Sequence, residues 1–310
     1  MTKIVFMGTP DFSVPVLEGL IENKDYEVIG VVSQPDKKVG RKQIITPSKV
    51  SEVALKNNIK LFRPEKLRKE YEDILETKPD IIVTCAYGQI VPKEILDFPK
   101  YGCINVHASL LPKYRGGAPI HKAIIDGEDK TGITIMYMNE GLDKGDIISQ
   151  KEIKIEDTDT TETMHDKLSV LGRDLLLETL PKIIEGTINP IKQNEEEATF
   201  AHNISREEEH IDFNKNTKDI YNQVRGLNSF PLAFATLDNK EYKIYSGKIS
   251  NSKQGKPGEI INIYKDGIGV RTLDGEYIIT ELKEEGKKRL LAKDYLNGKK
   301  KEDLIGKKFE

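Results

Sequence analysis

The chain has 310 residues, of which 48 are Lys or Arg and 51 are Asp or Glu, so its formal net charge at pH 7 is -3. This length is typical of two domains, and a hydrophobic content of 37% is enough for each domain to bury a core. The slight acidic excess excludes bulk positive charge as a means of binding nucleic acid, so any such contact must come from local basic clusters.

Targeting and cross-linking signals are absent from the sequence. The apolar run at residues 4–7 is too short for a signal peptide, and no stretch approaches the ~18 apolar residues that a membrane span needs. The two cysteines, Cys85 and Cys103, cannot form a disulfide framework and lack the spacing of a zinc site. We therefore expect a soluble, cytoplasmic protein without a structural metal.

Residues 1–188 are expected to form one α/β domain. Short apolar runs, predicted to be strands, occur at residues 4–7, 27–32, 80–85, 103–107 and 131–138. Helix-like segments at 14–21 and 48–57 separate the first of these runs, and the run at 80–85 is apolar enough for a strand buried on both faces. This alternation predicts a doubly wound, mostly parallel sheet of the Rossmann-like kind.

The pattern changes beyond residue 188. Residues 189–206 are polar and acidic and are predicted to be a linker. Residues 207–310 contain short β-like runs separated by turn signals such as Asp266-Gly267 and Asp274-Gly275. Such a pattern predicts a small β-barrel that resembles an oligonucleotide-binding (OB) fold, a common platform for nucleic acid.

Two polar residues end the predicted strand at 103–107. Asn105 and His107 are two positions apart, so their side chains point to the same face of the sheet. Ligands of open α/β sheets bind at the carboxyl ends of the strands. An amide that stabilises a developing oxyanion, beside an imidazole that handles the proton of an attacking amine, suits acyl transfer.

A carboxylate is needed to orient the imidazole and to stabilise its charged form. The segment GLDKGD at 141–146 supplies two candidates, Asp143 and Asp146, and its two glycines permit a tight turn. Spacing alone does not choose between them.

Longer motifs surround these residues. The segment at 105–120 reads NVHASLLPKYRGGAPI, and further motifs are GTPDF at 8–12, AYGQIVP at 86–92 and GLDKGD at 141–146. In these motifs, and over nearly its whole length, the chain resembles the folate-dependent formyltransferases, most closely those that act on a charged tRNA.

The resemblance implies a reaction and assigns residues to it. The formyl group of 10-formyltetrahydrofolate, the co-substrate, is expected to pass to the α-amine of methionine on initiator tRNA for translation initiation, without a metal. The resemblance places catalysis on Asn105, His107 and Asp143, and so selects Asp143 over Asp146. It places the folate against two segments, which comprise Ser109, Leu110, Leu111 and Pro112, and Tyr87, Gly88, Gln89, Ile90 and Val91.

Local basic clusters are the expected contacts with tRNA. The segment at 286–310 holds nine Lys or Arg against four acidic residues, a local charge of +5 in an otherwise acidic chain. The residues expected to contact tRNA are Lys37, Lys38, Arg41 and Lys42 in the loop at 36–43, Arg206, and Lys287, Lys288 and Arg289. We expect a monomer.

Other functions fit the sequence less well. The same catalytic block could formylate a nucleotide sugar or another small amine such as glycinamide ribonucleotide, although the second domain and the basic segment favour tRNA. A non-catalytic nucleic-acid-binding protein would not need Asn105, His107 and Asp143 together. A nicotinamide dehydrogenase is disfavoured because Gly8-Thr9-Pro10 does not continue into the glycine fingerprint.

Overall fold

The computed structural model describes residues 1–40 and 42–310, and for Val39 it describes the backbone but not the side chain. Internal contacts divide the chain into two compact units. The first unit comprises Met1–Gly116, Thr131–Ile153 and His165–Ala201, and the second comprises Gly117–Lys130, Lys154–Met164 and His202–Glu310. The domain limits stated above, 1–188 and 207–310 with a linker at 189–206, stay predictions.

Among the described residues, nine strands precede residue 155. They are β1 (Thr2–Gly8), β2 (Tyr26–Val32), β3 (Lys37–Val39), β4 (Ile44–Thr46), β5 (Leu61–Phe62), β6 (Ile81–Cys85), β7 (Cys103–His107), β8 (Lys130–Tyr137) and β9 (Ile147–Lys154). Seven of them form one sheet in the order β5-β2-β1-β6-β7-β8-β9, while β3 and β4 pair as a separate hairpin. Strand β3 lies within the loop predicted at 36–43, and β4 follows that loop.

The order of the large sheet places the functional residues. The strands from β5 to β7 pair in parallel, and β8 is antiparallel to β7. The chain starts at β1 in the centre, moves outward through β2 to β5, and then returns to the other side of β1 with β6 and β7. This reversal is the topological switch of a doubly wound sheet, so the carboxyl ends of β1, β6 and β7 form the edge at which ligands bind in such folds.

Helices connect the strands, and local sequence sets their ends. They are α1 (Val14–Glu22), α2 (Lys49–Lys56), α3 (Glu72–Leu75), α4 (Lys93–Leu96), α5 (Pro119–Ile125), α6 (Thr161–Glu185), α7 (Arg206–Glu209), α8 (Thr217–Gly226) and α9 (Ala292–Tyr295). The Ser48 hydroxyl accepts the backbone N–H of Ser51 at 3.0 Å and so caps the start of α2.

In β6 all five residues are buried, as its apolar sequence predicts. Both cysteines are buried and free.

The second unit contains an antiparallel sheet. Its strands are β10 (Ala233–Leu237), β11 (Lys240–Ser250), β12 (Ile260–Ile263), β13 (Ile268–Arg271), β14 (Glu276–Glu284) and β15 (Leu290–Leu291). The order is β10-β11-β14-β13-β12, and β15 pairs with β14. The predicted fold class, a doubly wound sheet followed by a small barrel-like β domain, is confirmed.

Residues 306–310 join the two edges of this second sheet. The backbone of Ile260 in β12 donates to Lys307 O at 2.8 Å, while Thr236 in β10 and Glu310 exchange N–H···O bonds of 2.7 and 2.8 Å. One short segment therefore satisfies backbone groups of both edge strands and closes the sheet into a barrel. Between these bonds, the side chain of Phe309 is buried, with its ring 5.6 Å from that of Tyr242.

Replacing Phe309 with alanine tests how much this closure contributes to stability. Because the ring is 2% exposed and packs in the barrel core, Phe309→Ala should lower the free energy of unfolding by about 3–5 kcal/mol. Phe230→Ala is the matched control in the same unit, since that ring is 79% exposed, and it should change the free energy by less than about 0.5 kcal/mol. Urea denaturation followed by circular dichroism compares the two, and equal losses would contradict the assignment.

Candidate active site

Asn105 and His107 are the third and the last residue of β7, at the carboxyl edge of the large sheet. Asn105 is half-buried and pairs in register with Thr84 of β6. The hydroxyl of Thr84 lies 2.9 Å from Asn105 Oδ1 and 3.1 Å from the carbonyl oxygen of Ile104. Asn105 Nδ2 has no hydrogen-bond partner among the residues that the structure describes, so it is free to donate to a ligand.

His107 is buried and contacts an acceptor on each side of its ring. Nε2 lies 3.0 Å from the carbonyl oxygen of Tyr114, and because a carbonyl only accepts, Nε2 must carry a proton. Nδ1 faces Asp143 Oδ2 at 3.8 Å. That separation is too long for a hydrogen bond, but it suits an ion pair when the ring is protonated.

Asp143 is the aspartate that lies beside His107, whereas Asp146 is exposed. The backbone N–H of Gly116 donates to Asp143 Oδ2 at 2.8 Å. Asp143 has a φ of 48°, in the left-handed region that aspartate tolerates better than most residues. The turn that follows is tight, because a Cβ at Gly145 would collide with the carbonyl oxygen of Tyr137.

A buried polar network lies behind this turn. The side chain of Gln193 donates to the carbonyl oxygens of Asp143 and Gly145, both at 2.7 Å. Its Oε1 accepts from Arg115 Nε at 3.1 Å and Nη2 at 2.8 Å. Arg115 is completely buried and forms a second, bidentate pair with Glu195 at 3.0 and 3.1 Å.

Glu195, the exposed member of this network, is held in its charged form. Hydrogen bonds from Arg115, and then from Lys144, lower the pKa of Glu195 to about 2. Glu195 therefore stays ionised at any pH at which the protein is expected to work.

The segment Ser109 to Pro112 follows β7 and is fixed by buried side chains. The Thr134 hydroxyl donates to Ser109 O at 2.7 Å and accepts from the N–H of Leu111 at 3.1 Å and from Gln150 Nε2 at 2.8 Å. The Ser109 hydroxyl is itself buried and donates to Lys113 O. Leu110 and Pro112 are half-buried, Leu111 is buried, and the Leu111–Pro112 peptide bond is cis.

The segment Tyr87 to Val91 follows β6 at the same edge of the sheet. The side chains of Tyr87 and Val91 pack in the core, and burial raises the pKa of the Tyr87 phenol. Gln89 is engaged with the backbone of Pro64 and Leu67. Gly88 and Ile90 are exposed, so this segment offers its backbone and the Ile90 side chain to a ligand.

The basic residues expected to contact tRNA differ in their surroundings. Lys37, Lys38 and Lys42 are exposed, while Arg41 lies outside the described residues. Arg206 pairs with Glu209 and Glu241 and stacks 3.7 Å above the Phe234 ring. Arg289 pairs with Glu281 and stacks over Tyr245 at 4.2 Å, whereas Lys287 and Lys288 are exposed and make no ion pair with a described residue.

Sequence reasoning missed the residues that support the site. Thr84, Thr134 and Gln150 lie on strands with no distinctive motif, so nothing in the sequence marks their hydroxyl and amide groups. Arg115 does lie in the motif YRGGAP, but its partner Gln193 stands 78 positions away in a polar stretch.

Within the described residues, no group of three or more His, Cys, Asp or Glu is placed to hold a metal ion, and no helix has the length and apolar character that crossing a membrane requires.

The Thr134 hydroxyl can be tested directly. Thr134→Val keeps the shape of the side chain but leaves the Leu111 N–H and the Ser109 carbonyl without their buried partner, and should lower the free energy of unfolding by about 1–3 kcal/mol. Thr134→Ser keeps the hydroxyl and should lose less than about 1 kcal/mol, the value of one buried methyl group. Equal losses in the two variants, measured by urea denaturation, would assign the effect to packing alone.

Comparison with known proteins identifies the family. Residues 2–180 match the sequence profile described as formyl transferase, and residues 203–300 match the formyl transferase C-terminal domain. The chain is 54% identical over 312 positions to a methionyl-tRNA formyltransferase of Bacillus subtilis strain 168, covering 99% of this chain and 98% of that one. It is likewise 54% identical to the enzyme of the same name from Staphylococcus aureus strain MW2, with 100% of both chains covered.

Solved structures of lower identity share the fold. An N-formyltransferase of Helicobacter canadensis, in complex with folinic acid and dTDP-3-aminofucose, superposes with a TM-score of 0.68 at 23% identity, covering 94% of this chain and all of that one. A methionyl-tRNA formyltransferase of Clostridium thermocellum gives 0.57 at 20% identity, covering 82% and 96%. The resemblance found in the sequence motifs is thus confirmed: the chain belongs to the formyltransferase family.

Proposed function

We propose that this protein transfers the formyl group of 10-formyltetrahydrofolate to the α-amine of methionine on initiator tRNA. The observation that carries the proposal is the 54% identity to methionyl-tRNA formyltransferases, which extends through the second unit as well as the first. The Helicobacter canadensis N-formyltransferase also superposes over 94% of this chain, but at 23% identity, so the higher sequence identity, and not the two-unit plan, favours the tRNA substrate.

The chemistry requires one carbon–nitrogen bond to form and another to break. The neutral α-amine attacks the formyl carbon, and the carbonyl oxygen takes up negative charge in a tetrahedral intermediate. Collapse of that intermediate breaks the bond to N10 of the folate, as the amine nitrogen loses a proton and N10 gains one. The products are formylmethionyl-tRNA and tetrahydrofolate.

Asn105 and His107 are suited to the negative charge of the intermediate. The unpaired Nδ2 of Asn105 is the donor that we assign to the oxyanion, and Thr84 holds the other end of this amide. Fixed donors of this kind act strongly because they need no reorganisation during the reaction. A protonated His107 adds positive charge, since its Nε2–H is held by Tyr114 and its Nδ1 faces Asp143.

Asp143 is assigned two roles. Its carboxylate balances the charge of a protonated His107 across 3.8 Å, and it is the nearest carboxylate to that ring that can accept the amine proton, directly or through water. The bond from Gly116 engages Oδ2, which leaves Oδ1 for the proton transfer.

For the folate, we propose the edge formed by the two segments after β6 and β7. The family relative from Helicobacter canadensis was solved with folinic acid, which supports a folate-type co-substrate. Here the exposed backbone at Gly88 and the half-buried Leu110 and Pro112 provide polar groups for a ring edge and apolar surface for its face. The side chains of Tyr87, Gln89, Val91 and Ser109 serve to hold these segments in place.

For the tRNA, we propose exposed lysines on both units together with the barrel. Lys37, Lys38 and Lys42 lie in or next to the β3–β4 hairpin, and Lys287 and Lys288 follow β14. A charged tRNA as substrate places the enzyme in the cytoplasm, where translation occurs. The expectation of a monomer stays a prediction.

The decisive assay measures transfer from 10-formyltetrahydrofolate to initiator methionyl-tRNA, with elongator methionyl-tRNA as the control. We expect strong transfer to the initiator and little to the elongator. Asn105→Ala and His107→Ala should each lower turnover by roughly 10²–10³-fold, the loss typical of removing one donor to the oxyanion, without changing the circular dichroism spectrum. Near-normal turnover in both variants would refute the roles of these residues.

The solved sugar formyltransferases define the alternative outcome. If neither tRNA is formylated while the folate still binds, the catalytic unit keeps its assignment, and amino sugars linked to nucleotides become the substrates to test. The dTDP-amino sugar present in the Helicobacter canadensis structure is the first probe.

Salt dependence tests the proposed phosphate contacts. The Michaelis constant for tRNA should rise steeply with salt. Lys287→Ala combined with Lys288→Ala should lower the slope of log Michaelis constant against log salt concentration by about one to two. Lys24→Ala with Lys56→Ala removes two exposed lysines of the first unit and serves as the control. A Michaelis constant that does not respond to salt would exclude these contacts.

A further inference from the structure

The side chain of Arg115 is an unusual feature of the first unit, because a guanidinium is rarely buried completely. A buried charge requires partners, and Arg115 has two, Gln193 and Glu195. Both partners come from the polar stretch predicted to be a linker. The backbone of Arg115 also pairs with that stretch, through bonds of 2.9 Å to Thr199 O and 2.7 Å from Ala201 N.

The orientation of the Gln193 amide follows from its neighbours. Arg115 only donates, so the atom that receives its two bonds must be Oε1. The carbonyls of Asp143 and Gly145 only accept, so the atom that contacts them must be Nε2. Both hydrogens of the amide and both lone pairs of its oxygen are therefore used, and the side chain can occupy only this orientation.

We propose that Arg115 and Gln193 are positioning residues for catalysis, which act by holding the backbone of the Asp143 turn. The inference rests on the role of Asp143 in the proposed function. Arg115 fixes Gln193, and Gln193 fixes the carbonyl groups on both sides of Lys144. The carboxylate of Asp143 is then held at the position where Gly116 donates to it and His107 faces it.

Residues 114–116 contact both His107 and the turn that carries Asp143. The carbonyl of Tyr114 accepts from His107, the side chain of Arg115 reaches the Asp143 turn through Gln193, and the N–H of Gly116 binds the Asp143 carboxylate. A displacement of the turn would therefore change the distance between Asp143 and His107. Displacements of about 1 Å can reduce turnover by roughly 10²-fold.

The substitution Gln193→Glu tests the hydrogen bonds to the Asp143 turn separately from those to Arg115. A carboxylate still accepts from Arg115, so the buried guanidinium keeps its partner, but it cannot donate to the carbonyls of Asp143 and Gly145. We expect turnover to fall by about 10–100-fold, while the Michaelis constant for the folate changes by less than about twofold. Glu196→Gln is the control, since Glu196 is exposed and its side chain makes no contact with the network; it should leave both constants unchanged.

A double-mutant cycle shows whether Gln193 acts through Asp143. Asp143→Ala should lower turnover strongly by itself, and adding Gln193→Glu should then cost less than about twofold more, because the residue that Gln193 positions is already gone. If the losses multiply, Gln193 has only a general structural role and the proposal is wrong.

Amide hydrogen exchange provides a readout independent of activity. The N–H of Gly116 is bonded to the Asp143 carboxylate, so its exchange rate reports the position of that group. Gln193→Glu should speed exchange at Gly116 by at least about tenfold, while the amides of β6 stay protected. An unchanged rate at Gly116 would overturn the proposal. If the wild-type protein formylates no tRNA, the proposed function fails, and this measurement alone decides on the positioning role.

Discussion

The burial of the Arg115 guanidinium is the constraint on which the candidate active site depends. Charge inside a protein is tolerated only when its hydrogen bonds are satisfied, and here the partners lie 78 and 80 positions along the chain. Satisfying Arg115 brings the stretch around Gln193 against the turn that carries Asp143. One electrostatic requirement thus assembles three segments that are distant in sequence.

The doubly wound sheet carries two of the three candidate catalytic residues, and a turn carries the third. Asn105 and His107 belong to β7, whose neighbours β6 and β8 fix its backbone on both sides. Asp143 lies on a turn between β8 and β9, where the backbone adopts a φ of 48° and is outside the strand pairing of the sheet. Two side chains on a strand are positioned by the sheet itself, whereas an aspartate on a turn requires a network of its own.

Much of this arrangement could be predicted from the sequence. The apolar run at 103–107 gave the bounds of β7, and the two-residue period of a strand placed Asn105 and His107 on one face. Spacing could not choose between Asp143 and Asp146, because the choice depends on a turn that Gly145 and Gln193 determine together. The stretch at 189–206 was predicted to be only a linker because its composition is polar. Nothing in that composition indicates that Gln193 is buried. Similarly, β9 was not predicted because none of its residues is buried and its sequence lacks an apolar face.

The closure of the barrel has a consequence for the synthesis of the chain on the ribosome. Residues 306–310, which join β12 to β10, follow β10 to β15 in the chain, so these strands emerge before them. Until they appear, the nascent chain presents two unpaired sheet edges, the kind of surface that attracts other strands. The catalytic sheet, by contrast, has all its strands once residue 154 has been added. The two units are therefore expected to fold one after the other. The catalytic sheet forms first, and the barrel closes once residues 306–310 have been translated.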